Sequence, residues 1–150
     1  ILENYIKSII EENQINTLHV YDFDMTLYNH NKKNWFDEVL NELNNSLSNP
    51  KIRTILCTAR SKNAGYIFKT ESMLKEKGMS LLDFDECYFK SDNRKEKVSI
   101  YKSCVILDEI CSNSNLINVK FWDDRKEILD QVKVDLGNHE RRIEYTPIKC

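Results

Sequence analysis

Glycine, proline and long apolar runs are scarce in this sequence. With 3 Gly and 2 Pro among 150 residues, collagen-like, linker-rich and hairpin-dense architectures are excluded. No apolar run approaches the about 18 residues of a membrane-spanning helix, and no secretory leader is visible. Net charge is also lacking, since 22 Lys and Arg against 24 Asp and Glu leave −2. That balance argues against a globally basic nucleic-acid-binding protein but leaves a local basic face open.

Paired cysteines are lacking as well. The five cysteines are an odd number without a Cys-x-x-Cys spacing, which disfavours a disulfide framework and a structural zinc site. Free thiols fit a reducing compartment, so we expect a cytoplasmic or nuclear protein. Because the chain starts at Ile1, we expect a processed or excised piece of a longer protein.

What is present is enough apolar sequence for one core. The 41 % hydrophobic content predicts a single domain over residues 1–150 that buries about 70 % of its unfolded surface. Hydrophobic patterning predicts helices over 2–13, 34–47, 61–77, 98–111 and 125–134. The first carries its apolar residues at helical spacing: Leu2, Tyr5, Ile6, Ile9 and Ile10. We predict Asn34 as a cap of the second.

Short β-prone segments alternate with these helices. They predict strands over 17–21, 52–57, 85–89, 117–122 and 142–145. Such alternation favours an α/β fold with a mostly parallel sheet covered on both faces. Ligands of open α/β sheets bind beyond the carboxyl ends of the strands, so the residues after each strand are the candidates for function.

Two aspartates follow the first strand. In an extended backbone Asp22 and Asp24 point the same way, while Phe23 turns towards the core. Two such carboxylates need a cation or a shared proton, and oxygen ligands suit Mg²⁺. The alternative is an ordinary acidic turn at a strand end.

The second and fourth strands also end in polar residues. Thr58 offers a hydroxyl and nearby backbone N–H groups for an anionic oxygen, unless Thr58 or Ser61 acts only as a helix cap. Asp123 and Asp124 complete a magnesium shell, unless they only stabilise a helix start. Arg125 is predicted to pair locally with a carboxylate or to contact substrate.

A phosphate beside several carboxylates requires a cation. The lysine candidates are Lys90, Lys95, Lys97 and Lys102. Lys102 is preferred because it lies on a helix leading into the fourth strand and can be held rigidly, and Lys90 is the second choice. The charge run that contains Lys95 and Lys97 is predicted to be a solvated loop, which beside an open phosphate site can also follow a nucleic-acid backbone.

An acidic pair, a hydroxyl, a lysine and a second acidic pair, in this order, resemble the haloacid-dehalogenase (HAD) superfamily of aspartyl-phosphate phosphotransferases. VYDFDMT resembles the first motif, ILCTAR the second, KVSIYK the third and FWDDR the fourth. The resemblance runs from about Leu18 to Arg125 and implies a Rossmann-like HAD core.

Within the superfamily, the chain most resembles the HAD domain of Swiss Army Knife RNA repair proteins. DFDMTLYN, Trp35, the Thr-x-Arg second motif, YFK and IYK carry this likeness. The lipin-type phosphatidate phosphatases share a similar aromatic-lysine element. Two departures are Ala59, where glycine is common, and KSDN in place of the usual Lys-Pro.

The resemblance implies roles for the site residues. Asp22 is then the nucleophile and Asp24 the general acid and base. Mg²⁺ is then held by Asp22, the backbone carbonyl of Asp24 and Asp123, with Asp124 as a ligand or orienting group. Thr58 and Lys102 bind phosphoryl oxygens. The predicted substrate-binding residues are Thr26, Arg60, Lys90 and Arg125.

The spacing of the motifs leaves no room for a large cap domain. An open site favours a phosphate on a large molecule, so we predict a phosphatase for RNA or DNA ends. A non-catalytic phospho-ligand-binding module and a small-metabolite phosphatase are the alternatives. His19 is predicted to be structural, and Trp35 and Trp122 to belong to the core. For His30 and His139 the sequence indicates no metal-binding role.

Overall fold

The computed structural model describes the backbone of residues 1–150 and all side chains except those of residues 10–13. The strands are β1 (Thr17–Tyr21), β2 (Tyr28–Asn29), β3 (Asn34–Trp35), β4 (Ile52–Ser61), β5 (Glu86–Lys90), β6 (Asn118–Asp123) and β7 (Glu144–Lys149). The helices are α1 (Leu2–Asn13), α2 (Asp37–Leu47), α3 (Ala64–Lys75), α4 (Val98–Ser112) and α5 (Lys126–Gly137), with a short 3₁₀ turn at Leu81–Asp83.

Five parallel strands form the main sheet in the order β5-β4-β1-β6-β7. The chain moves outward from β1 to β4 and β5, and then returns to the other side of β1 to add β6 and β7. The strand order therefore reverses at β1, so the carboxyl ends of β1, β4 and β6 are neighbours. Ligand sites of open α/β sheets lie at such a reversal.

Each face of the sheet has its own hydrophobic core because successive side chains along a strand point in opposite directions. Val20 packs on the face covered by α4 and α5. Its neighbour Tyr21 packs on the face covered by α2 and α3, where its ring stacks on Trp122 with centroids 4.1 Å apart. The predicted α/β sheet with helices on both faces is thus confirmed, and so is the core position of Trp122, which is 1 % exposed.

A small hairpin replaces the predicted start of the second helix. Asn34 and Trp35 form β3, which pairs antiparallel with β2, so helix 34–47 was predicted three residues too long. The N-cap residue is Phe36, without a side-chain capping bond, and the prediction of Asn34 as the cap was wrong. The Tyr28 and Trp35 rings meet edge to face at 5.1 Å, a cross-strand contact that helical periodicity does not reveal.

The second strand is longer than predicted, because β4 continues through Thr58 to Ser61. Its pairing with β5 shifts register between Thr58 and Ser61. Helix α3 therefore starts only at Ala64, where the Asn63 side chain accepts a hydrogen bond from the Tyr66 backbone N–H at 3.0 Å. The alternative in which Thr58 or Ser61 caps this helix was wrong.

The remaining predictions of element type are confirmed, with shifted ends. Strand β5 runs one residue later than predicted, β6 also runs one residue later, and β7 covers 144–149 instead of 142–145. Helix α4 gains one residue and α5 covers 126–137 instead of 125–134. These strand ends differ from the predicted ones because pairing with a neighbouring strand decides where a strand stops. The sequence of a single segment does not contain that information.

Helix α1 has the predicted bounds but leaves its apolar side chains exposed. Leu2, Tyr5, Ile6 and Ile9 all lie on the surface, while the Ile10 side chain lies outside the described residues. Nowhere in the described part of the chain is a helix both long and apolar enough to cross a bilayer.

Candidate active site

Asp22 stands at the centre of the sheet's carboxyl edge. Strand β1 ends at Tyr21, and the Asp22 backbone N–H still donates to the Trp122 carbonyl of β6 at 3.0 Å. The Thr26 hydroxyl donates to Asp22 Oδ2 at 2.9 Å. Asp22 is only 4 % exposed and Thr26 is fully buried. Strand pairing and the Thr26 hydroxyl thus hold the Asp22 carboxylate in one orientation.

The chain turns sharply after Asp22 instead of staying extended. The Phe23 carbonyl accepts hydrogen bonds from the backbone N–H groups of Thr26, Leu27 and Tyr28. Met25 adopts φ 61° in the left-handed region, which is unfavourable for a residue with a side chain. Phe23 is fully buried, as predicted. The turn sends the Asp22 and Asp24 carboxylates to different partners, although both line the same pocket.

Lys102 of α4 binds the two buried carboxylates together. Its Nζ donates to Asp22 Oδ1 at 2.8 Å and to Asp123 Oδ2 at 2.7 Å. All three residues are at most 4 % exposed. Because α4 covers the face towards which Asp22 and Asp123 both point, the ammonium enters between the ends of β1 and β6. Of the two preferred lysines, Lys102 is the one that contacts these carboxylates.

Burial dominates the electrostatics of this cluster. Burial raises the pKa of Asp22 to about 7; the Lys102 ammonium opposes this rise and the Asp123 carboxylate adds to it. Burial alone lowers the pKa of Lys102, but the charges of Asp22 and Asp123 outweigh it and raise this pKa above its ordinary value. One ammonium against two carboxylates leaves an excess of negative charge that attracts a further cation.

Asp24 is held by a different set of partners. Arg60 donates from Nε and Nη2 to Asp24, at 3.0 Å to Oδ2 and 2.8 Å to Oδ1. His30 Nε2 lies 2.5 Å from Asp24 Oδ1. Burial by itself raises the pKa of Asp24, but the bonds and charges of Arg60 and His30 outweigh it and hold the pKa below its ordinary value. Arg60 and His30 therefore orient the Asp24 carboxylate and favour its ionised form.

Arg60 is fixed from several directions. Its guanidinium lies 4.4 Å from the centre of the Phe23 ring, and Nη1 donates to the Thr70 hydroxyl at 3.0 Å. Its side chain is 8 % exposed. This packing places Arg60 as a rigid support for Asp24.

Three carboxylates gather into a group suited to a metal ion. Ligand atoms of Asp22, Asp123 and Asp124 all lie within 4.8 Å of one another. Burial, followed by the Asp123 charge, raises the pKa of Asp124. The Asp24 side chain is not part of this group among the described side chains, which leaves its backbone carbonyl as the atom predicted to bind metal. An all-oxygen donor set of this kind suits Mg²⁺.

An open pocket of about 180 Å³ lies over the cluster. Its lining includes the predicted site residues Asp22, Asp24, Lys102, Asp124 and Arg125. Thr58 is fully buried and does not line the pocket, although the next residue, Ala59, does. The Thr58 hydroxyl oxygen accepts from the Arg60 backbone N–H at 3.1 Å.

The residues predicted to contact substrate are placed differently from one another. Arg125 lines the pocket and pairs with Glu127 at 2.6 Å. Lys90 lies on the edge strand β5, and its Nζ donates to the Arg94 carbonyl at 2.7 Å. Thr26 donates a hydrogen bond to Asp22, and Arg60 donates to Asp24, as described above. Substrate contacts of these four residues stay predictions.

His30 is the site residue that sequence reasoning missed. Its ring meets the Tyr28 ring edge to face at 5.0 Å and binds Asp24 from six positions downstream. Only the turn after β1 brings it there, and no spacing rule for strands or helices predicts that contact. His19, by contrast, is structural as predicted: its Nδ1 pairs with the Ser46 hydroxyl at 2.7 Å.

The sequence of almost the whole chain matches one known protein family. HAD domain family 1 in Swiss Army Knife RNA repair proteins matches residues 4–148. The chain belongs to this family. Among curated proteins, none matches the chain.

A solved structure shares the fold of this HAD domain. A chain in the structure of the Pnkp1/Rnl/Hen1 RNA repair complex superposes with a TM-score of 0.65 at 20 % sequence identity. The match covers 88 % of this chain and 43 % of that chain. The HAD domain thus spans less than half the length of that chain.

Proposed function

We propose that this HAD domain is a Mg²⁺-dependent phosphatase that removes phosphate monoesters from RNA ends through an aspartyl-phosphate on Asp22. The observation that carries the proposal is the Asp22 carboxylate at the sheet edge, buried, oriented by Thr26 and bound by Lys102. A carboxylate held this way is a positioned nucleophile. Residues 1–150 are proposed to act as one domain.

The first step transfers the phosphoryl group to the protein. A carboxylate oxygen of Asp22 bonds to phosphorus while the bond from phosphorus to the leaving oxygen breaks. Asp24 gives a proton to that oxygen, so an alcohol departs; this step uses the protonated form of Asp24, the form that the bonds from Arg60 and His30 disfavour. Lys102 and Thr58 hold the phosphoryl oxygens. Positioning and electrostatics must stabilise the negative charge on these oxygens.

The second step releases inorganic phosphate. Asp24, now ionised, takes a proton from water as the water oxygen bonds to phosphorus and the bond to Asp22 breaks. The ionised form that this step requires is the one that Arg60 and His30 favour, since both bind the Asp24 carboxylate.

The donor set fits magnesium. Asp22, Asp123 and Asp124 offer carboxylate oxygens within 4.8 Å of one another, and the Lys102 ammonium leaves their negative charge only partly balanced. These three residues and the Asp24 carbonyl are proposed to hold the ion, which when bound supplies charge neutralisation for the phosphate oxygens.

The substrate class rests on the open site and on the family. No cap domain lies over the pocket among the residues that the structure describes, so a phosphate at the end of a large molecule has access. The family consists of HAD domains in RNA repair proteins, and the structural neighbour is part of an RNA repair complex. A phosphorylated RNA end satisfies both observations.

The test compares wild type with Asp22→Asn on 3′- and 5′-phosphorylated oligoribonucleotides, with Mg²⁺ and with a chelator. We expect phosphate release by wild type but not by Asp22→Asn, and only with Mg²⁺. Asp108→Asn changes an exposed aspartate on α4; it is the control and should keep full activity. Release from small metabolites but not from RNA ends would identify a metabolite phosphatase. Binding of phosphorylated RNA without release by any variant would identify a binding module.

A further inference from the structure

A second, larger pocket opens at the same edge of the sheet. It has a volume of about 500 Å³ and lies between the β2–β3 hairpin, the start of α2 and the end of β7. This volume is in the range of small-molecule sites. Neither the transfer of the phosphoryl group nor its hydrolysis, as derived above, uses this pocket.

Backbone bonds tie this pocket to the acidic cluster. Lys149, which lines it, is the register partner of Asp123 in the β6–β7 pair. Cys150, also in the lining, donates its backbone N–H to the Asp123 carbonyl at 3.0 Å. The β7 wall of the pocket is therefore one strand away from Asp123 and two strands away from Asp22, the proposed nucleophile.

The hairpin connects the two sites from the other side. The backbone of Asp24 forms an isolated β-bridge with Tyr28, and Tyr28 pairs with Trp35 across the hairpin. Trp35 lines the pocket, and its ring is fixed by edge-to-face contacts with Phe23 at 5.9 Å and Tyr28 at 5.1 Å. An aromatic ring that is already immobile loses little entropy when a planar group stacks on it.

The charges in the lining select the kind of group that enters. The carboxylates of Asp37, Glu38 and Glu42 outnumber the ammonium groups of Lys32 and Lys149. This excess repels a phosphate but accepts hydrogen bonds from sugar hydroxyls and from the amino groups of bases. Trp35 and Phe36 supply aromatic surface of the kind on which bases stack.

We propose that this pocket binds the base and ribose of the terminal nucleoside whose phosphate lies at Asp22. The proposal rests on the proposed function, because it assigns the substrate's nucleoside to the volume beside the phosphate site. Carboxylates that accept a hydrogen bond from the ribose 2′-hydroxyl distinguish ribose from deoxyribose, which lacks this group. The ligand class is thus a ribonucleoside monophosphate, free or at the end of an RNA.

The test separates nucleoside recognition from phosphate chemistry. Glu38→Gln and Trp35→Leu are assayed on adenosine 3′- and 5′-monophosphate, on an oligoribonucleotide with a terminal phosphate, and on glycerol phosphate, which lacks a base. We expect KM for the nucleotide substrates to rise about tenfold, with kcat/KM for glycerol phosphate unchanged within about twofold. Glu38→Gln keeps the size of the side chain, so it remains informative if Trp35→Leu fails to fold.

Asp108→Asn, on the opposite face of the sheet, is the matched control and should leave both values unchanged. Equal KM values for wild type and pocket variants on nucleotides would overturn the proposal while leaving the phosphatase intact. A rise for free mononucleotides alone would overturn the assignment to RNA ends. If wild type releases phosphate from none of these compounds, adenosine is titrated by NMR: a shift of the Trp35 indole signal supports the pocket, and its absence overturns it.

Discussion

Lys102 is the residue on which both the stability and the chemistry of the site depend. Its ammonium pairs with Asp22 and Asp123 at once, and all three side chains are at most 6 % exposed. Replacing it leaves two buried carboxylates facing each other. Loss of one partner from a buried ion pair costs about 3–5 kcal/mol.

We therefore expect Lys102→Met to lower the free energy of unfolding of the metal-free protein by about 3–5 kcal/mol, and Mg²⁺ to restore more stability to the variant than to wild type. Urea unfolding near neutral pH, with a chelator or with Mg²⁺, measures both. Lys126→Met is the control, since Lys126 pairs with Asp130 on the exposed surface and its loss should leave stability unchanged. Equal metal-free stabilities of Lys102→Met and wild type would contradict the assigned geometry.

Arg60 acts on the proton affinity of Asp24. Because its guanidinium donates to both carboxylate oxygens, Arg60→Met should raise the pKa of Asp24 from its lowered value towards or above the ordinary one. An NMR titration of the Asp24 carboxyl group measures this. A pKa that stays low in Arg60→Met would show that His30 alone ionises Asp24.

The same pKa has a consequence for stability. A carboxyl group whose pKa is lowered in the folded state stabilises that state above the unfolded-state pKa, and the contribution is lost as the pH falls through the folded-state value. Wild type should thus lose the part of its stability that comes from Asp24 on acidification, and Arg60→Met should lose less.

At the scale of elements, two glycines near helix ends respond oppositely to substitution. Gly78, just after α3, has φ +69°, and an L-residue in the left-handed region costs about 1–2 kcal/mol. Gly137 ends α5 without a positive φ, and a Cβ added there meets nothing within 4 Å.

We expect Gly78→Ala to destabilise the domain by about 1 kcal/mol and Gly137→Ala to stabilise it by up to about 1 kcal/mol, because alanine is the better helix former. Thermal unfolding of the two variants beside wild type measures both signs, and each serves as the other's control. Destabilisation by both would mean that contacts of the added methyl group, not backbone conformation, decide the result.

Element boundaries show where local sequence stops being informative. Gly78 is readable as a stop signal because glycine itself can adopt a positive φ, although α3 ends at Lys75, two residues before the predicted end at Lys77. Four residues, three of them polar, extend β4 to Ser61. The sequence does not predict them as strand, because it is pairing with β5 that extends the strand. The hairpin of residues 28–35 likewise depends on an aromatic pair between two short segments.

At the scale of the whole molecule, pH and metal act on the same carboxylate. The pKa of Asp22 is raised to about 7, above the about 3.9 of an exposed aspartate. The metal-free folded state therefore keeps a proton that the unfolded chain releases, and stability falls as the pH rises across that window. A metal ion requires the ionised form.

Mg²⁺ should thus raise the unfolding temperature more at about pH 8 than at about pH 5.5, because at the lower pH a proton on Asp22 competes with the ion. Thermal unfolding with Mg²⁺ and with a chelator at both values measures the difference. Asp123→Asn should remove most of the increase at both pH values. An equal increase for wild type at the two pH values would exclude Asp22 as a ligand.

The sequence by itself determined the fold class and the order of the helices and of the five strands of the main sheet. It also pointed to the polar residues at the ends of these strands as candidates for function. These follow from local patterning and from the alternation of elements, which admits few sheet topologies. It left open which lysine joins the aspartates. Only the tertiary structure decided that Lys102 lies between Asp22 and Asp123, that Asp24 binds Arg60 and His30, and that a second pocket opens where β7 ends. Such contacts depend on the packing of α4, the turn after β1 and the end of β7, and packing joins residues that no local spacing relates.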